Sequence, residues 1–185
     1  MKRPGLRELI YWAVCCDLGL VAKRLINPAA NLITDALHIP GGIATGFSLM
    51  FVAIAAETAP GIGCCAMISL VQSLLRLFTG HMGSMGALTP VGYVVPGLAM
   101  EAAFFLLRGA RRRDRVTVAN CVASVCAALT TNLIVFRLRG AALMLYLSVA
   151  ALSGALFGMS GALVAERVIR AQMGHPIQRK SGKET

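Results

Sequence analysis

Residues 61–107 read GIGCCAMISLVQSLLRLFTG followed by HMGSMGALTPVGYVVPGLAMEAAFFLL. Two apolar runs flank a turn of glycine, serine, histidine and methionine. Each run is close to the roughly 20 mostly apolar residues that a bilayer-crossing helix needs. Gln72, Ser73 and Arg76 approach the turn on the first run, and Thr89, Pro90 and Tyr93 leave it on the second. An arginine inside a spanning segment is costly, so Arg76 is expected to face protein, water or the interface. A glycine-rich elbow with polar residues on both arms suits the mouth of a small-molecule pocket.

Working outward, the rest of the chain has the same character. It is 57% hydrophobic and only 14% charged, well below the roughly 25% charged residues of a globular domain. With a mean hydropathy of +0.71, this composition is that of an integral membrane protein forming one helical bundle. The net charge of +10 does not indicate a nucleic-acid partner, because the basic residues gather at segment ends: Lys2, Arg3 and Arg7, residues 108–115, and the C-terminal tail. Lysine and arginine in cytoplasmic loops have that distribution.

The expected fold is therefore an all-α membrane protein, a six-transmembrane-helix bundle with both termini cytoplasmic. It occupies residues 1–185 as a single membrane domain. Spans are expected at about 6–25, 43–59, 61–80, 87–107, 116–136 and 141–164, with a polar cytoplasmic tail at 171–185. Proline disfavours helix at the residue before it, so Asn27–Pro28 is expected to end the first span and start a short separate helix over 28–37. Residues 38–42 read as a Pro-Gly-Gly loop and 109–115 as a basic connection. This topology collects His38, Arg76, His81, Met82, Tyr93, Asn132 and Tyr146 near the outer surface, with Glu57, Glu101 and Asn120 towards the inner one.

No enzyme chemistry is legible. There is no Ser-His-Asp set, catalytic carboxylate pair, phosphate loop or His-Glu-x-x-His helix, so no catalytic residue and no cofactor is expected. Cys15, Cys16, Cys64, Cys65, Cys121 and Cys126 lie in apolar segments without zinc-site spacing, and read as small packing residues. His38 and His81 lack nearby carboxylate partners and read as hydrogen-bonding loop residues rather than metal ligands. Asp17 and Glu101 are candidates for a proton or ion relay. Ala150, Gly154, Gly158 and Ala162 place small residues on one face of the last helix, for packing inside the bundle or for docking a subunit. Residues 108–115 read first as an orientation signal, and otherwise as a site for anionic membrane lipid or a partner protein.

The runs LHIPGGIATGF (37–47), AAETAPGIGCCAMISLVQSLLRLFTG (55–80) and GSMGALTPVGYVVPGLAMEAAFF (83–105) together resemble the S components of energy-coupling factor (ECF) vitamin transporters. The resemblance implies a six-helix membrane subunit that captures a vitamin or its precursor at the outer face. It implies as partners a transmembrane T component and two cytoplasmic ATPase subunits. It also implies a substrate region containing His38, Gly41, Gly42, His81, Met82, Ser84, Tyr93, Asn132 and Tyr146, to which the residue reading adds Arg76. The central first helix reads AVCCDLGLVAKRL (13–25), without the Ala-xxx-Ala pair by which many members meet the T component. Two other classes stay open at this point: a membrane enzyme acting on a lipid headgroup, and an assembly or scaffold protein.

Overall fold

The computed structural model describes residues 5–37, 43–59, 61, 63–80 and 83–174. Apolar runs rich in alanine and leucine close their backbone hydrogen bonds within the segment, and the described residues are helical throughout their elements, with no strand among them. Six α-helices follow one another: α1 (Leu6–Leu37), α2 (Ile43–Thr58), α3 (Cys64–Phe78), α4 (Thr89–Leu106), α5 (Arg112–Thr131) and α6 (Ala141–Gly174). A 3-10 turn, Gly83–Leu88, leads into α4, and a π turn, Asn132–Phe136, ends α5.

Three of these stretches are long and apolar enough to cross a membrane: Met85–Leu106, Arg112–Phe136 and Ala141–Ala171. The shorter helices depart from the expected spans. α3 has 15 residues, about 22 Å at 1.5 Å per residue, against a hydrocarbon core of about 30 Å. α2, with 16 residues, is little longer.

Four expected boundaries are corrected. α1 runs unbroken through Pro28, so 28–37 is not a separate helix; an internal proline removes one hydrogen bond, and Ala29 and Ala30 are strong helix formers that carry the helix on. The basic connection is shorter than expected, because α5 begins at Arg112. α6 continues to Gly174, past the expected start of the tail. The elbow is partly helical, since residues 83–88 form the 3-10 turn, kinked at Gly86 with φ 54°.

The helices alternate in direction between two ends of the bundle. At one end the Trp12 indole donates to the Ala59 carbonyl at 3.1 Å, Glu101 meets the start of α3, and Arg113 meets Glu166. At the other end α1 reaches Lys23, α3 reaches Arg76, and α4 begins near Tyr93. The start of α1 and the far part of α6 therefore share the end where α4 connects to α5.

The core is filled by small side chains. Cys15, Cys16, Cys64 and Cys65 are buried among Trp12, Ile68, Met100 and a run of α5 alanines, the packing role expected of them. The small-residue stripe of α6 lies against α5: Ala150 and Ala162 are buried, and a Cβ on Gly158 would stand 2.8 Å from the Thr117 Cα. Packing inside the bundle is therefore what this stripe does. Asn120, fully buried, donates to the Gly154 carbonyl at 2.8 Å and the Gly46 carbonyl at 3.3 Å, joining α2, α5 and α6.

Candidate functional site

Gly19 decides how α1 meets α3. A Cβ there would lie 2.8 Å from the Gln72 amide nitrogen, and Gln72 donates to the Cys16 carbonyl at 3.2 Å. One turn on, the same face of α1 carries Lys23, since residues four apart share a helix face. Lys23 Nζ sits 4.7 Å from the centre of the Tyr93 ring, and the Arg76 guanidinium sits 5.4 Å from that ring. Two cations from two helices thus converge on one aromatic side chain of a third. Each such contact is worth about 0.5–1 kcal/mol at an exposed site, and the ammonium and the guanidinium gathered at one ring repel each other. Neither Lys23 nor Arg76 has a carboxylate partner among the described residues. The Tyr93 hydroxyl is buried and has no hydrogen-bond partner among them, a state that costs roughly 1–3 kcal/mol. The 3-10 turn packs on the start of α4 through Met85, whose sulfur fills the space beside Gly92.

The other expected site residues fall into two sets. Asn132 and Tyr146 form a second cluster at the same end of the bundle, where the π turn packs on the 3-10 turn. The Asn132 side chain accepts from the Leu138 amide at 2.8 Å and closes the turn between α5 and α6. Tyr146 is buried against Phe136, edge to face at 5.9 Å. Ser84 lies in the 3-10 turn. His38, Gly41, Gly42, His81 and Met82 lie outside the described residues. Arg76 and Tyr93 are thus the expected pair brought into one contact group, and Lys23 joins them. Lys23 reads in sequence as a helix-end cation reaching for the interface; its spacing of four from Gly19 is the signal that places it on the inward face.

The opposite end of the bundle holds a cavity of about 810 Å³ between α2, α3, α4 and α5, with Glu57, Glu101, Arg108, Arg112 and Arg115 on its wall. Glu101 is tied to the backbone there: its two carboxylate oxygens accept from the Gly63 and Cys65 amides, both at 2.9 Å. It satisfies the free amides at the start of α3, which gives it a structural role at that helix end. Asp17, the other candidate, is exposed on the surface of α1. Trp12, another large amphipathic ring, is buried at this end and holds Ala59.

No family model matches the chain, and no curated protein or solved structure is significantly similar to it.

Proposed function

We propose that the chain is the substrate-capture subunit of an ECF-type importer for a vitamin or vitamin precursor. Its bundle makes six membrane crossings with both termini in the cytoplasm. Ligand binds at the outer end, between α1, α3 and α4, and is delivered inward with a T component and two ATPase subunits. The observation that carries this reading is the Tyr93 group: two uncompensated cations on one ring, beside a buried hydroxyl without a partner. That set suits a small ring bearing a carboxylate or carbonyl, which would stack on Tyr93, accept from Arg76 and Lys23, and engage the hydroxyl. The 3-10 turn that leads into α4, kinked at Gly86, supplies a segment able to open and close.

The orientation follows from charge. The end with Arg108, Arg111, Arg112, Arg113, Arg115, Arg167 and Arg170 carries seven basic residues against five at the end with Lys23, Arg24, Arg76, Arg137 and Arg139, and we take it as the cytoplasmic one. On a background lacking the native cysteines, Ser84→Cys is expected to react with an impermeant thiol reagent added to intact cells, and Asp114→Cys is not. The reverse labelling would invert the protein and remove the outer site.

The site itself is tested by identifying the small molecule that co-purifies, by mass spectrometry, and titrating it calorimetrically. Hydrogen bonds to charged groups are worth roughly 1.5–3 kcal/mol, so Arg76→Ala or Lys23→Ala is expected to weaken binding about tenfold or more. Tyr93→Phe separates the hydroxyl from the ring and is expected to lose less. Parent-like affinity in all three variants would sink the assignment.

A further inference from the structure

The 810 Å³ cavity at the basic end is chemically two-sided. Its α4 wall carries Leu98, Phe105 and Leu106, all exposed on the outer surface of the bundle, so it opens sideways towards the surroundings of an apolar helix. Among small and apolar residues, its remaining wall holds three guanidinium groups and two carboxylates. Both carboxylates are already engaged. Glu57 holds Arg112 at 2.8 Å and Arg115 at 2.6 Å, and Glu101 holds two backbone amides. Arg108 has no ion-pair partner among the described residues. Its guanidinium lies 4.4 Å from the centre of the Phe105 ring, which holds it at the junction of the apolar and charged walls. The Arg112 side chain keeps 45% of its surface accessible while bonded to Glu57, leaving donors free.

We propose that this cavity binds an anionic phospholipid, its phosphate between Arg108 and Arg112 and its upper acyl chains along Leu98, Phe105 and Leu106. Planar guanidinium groups match phosphate oxygens in a bidentate fashion, and the excess of cations over carboxylates supplies the charge complement. The apolar wall favours an amphiphile over a free anion, because burying a phosphate alone would leave that wall wet. The site is independent of the transport reading: it uses the opposite end of the bundle and none of the same residues.

The test uses the full-length protein in detergent. Bound lipid is read by native mass spectrometry after titration with phosphatidylglycerol or phosphatidylcholine of identical acyl chains. Phosphatidylglycerol is expected to bind about tenfold tighter or more. Arg108→Gln should abolish most of that preference and weaken phosphatidylcholine, which carries the same phosphate beside its own cation, by less, while Ala102→Phe, which fills the cavity, should reduce occupancy by both lipids. Arg167→Gln removes an exposed cation at the same end that does not line the cavity, and should change nothing. Arg108 is exposed, so its replacement does not disturb the core, and a monodisperse elution profile checks this. Equal binding of the two lipids would overturn the proposal in favour of unselective lipid packing on the apolar wall, and equal loss from Arg108→Gln and Arg167→Gln would overturn it in favour of general charge attraction. Displacement of phosphatidylglycerol by excess inorganic phosphate would overturn the amphiphile and make free phosphate the ligand.

Discussion

Glu57→Leu is expected to destabilise the bundle by about 3 kcal/mol, at the lower end of the 3–5 kcal/mol typical when one partner of a buried ion pair is removed. The carboxylate is 2% accessible and joins the last turn of α2 to the first turn of α5. Arg115 reaches it with Nη2 at 2.6 Å and 2.8 Å and with Nε at 3.1 Å, and Arg112 reaches it at 2.8 Å. Without Glu57, two guanidinium groups face each other across a space made for three charges. The loss sits at the lower end because both arginines can turn towards water, at 45% and 23% accessibility. On the scale of soluble domains of this size, it corresponds to a fall of roughly 6–12 °C in the unfolding midpoint. Thermal unfolding in detergent measures it. In a double-mutant cycle, Glu57→Leu combined with Arg115→Leu should cost less than the separate losses added together, because the second change removes one of the stranded cations. An unchanged midpoint for Glu57→Leu alone would show that the cluster is solvated and contributes nothing.

The same residues show where sequence reasoning stops. Arg112, Arg113 and Arg115 are legible as a basic segment, and charge counting uses them correctly. Their pairing with Glu57 and Glu166 is not legible, because partners more than 50 residues away leave no local pattern. Glu101 is a similar case. It bonds to backbone amides 38 and 36 residues earlier, and a backbone amide has no side chain to announce it. Pro28 misleads for the opposite reason: its local signal is strong, yet α1 is long enough to absorb one missing hydrogen bond. Helical content and the packing stripe of α6 were readable because each is a periodic property of a single segment. Of the candidate site, the elbow and the Arg76–Tyr93 pair were readable from their symmetric placement about one turn. Lys23 required knowing which face of α1 turns inward, and only the spacing from Gly19 hinted at that.

Gly158→Leu is expected to have the larger effect and to prevent assembly of a monodisperse bundle. A Cβ at this position would meet the Thr117 Cα at 2.8 Å, the Thr117 carbonyl oxygen at 3.0 Å and the Asn120 Cβ at 3.1 Å. Two of these are backbone atoms, so no rotamer change relieves the clash; α5 and α6 must separate. Overpacking of a core commonly costs 1–3 kcal/mol when side chains can yield, and here they cannot. Separation also strains the Asn120 bonds to the Gly154 and Gly46 carbonyls, and stranding a buried amide adds roughly 1–3 kcal/mol. A combined loss of about 4 kcal/mol or more is most of the stability of a protein at the lower end of the usual range of about 5–15 kcal/mol. Gly154→Leu should behave alike, since its Cβ would stand 2.9 Å from the Cys121 Cα. Gly109→Leu is the control: nothing lies within 4 Å of a Cβ there, and its elution and midpoint should match the parent. The readout is the monodisperse fraction after detergent extraction, followed by the unfolding midpoint of whatever remains. If Gly158→Leu elutes and melts like Gly109→Leu, then α5 and α6 do not need their backbones in contact. The stripe would then be free to serve as a surface for another subunit.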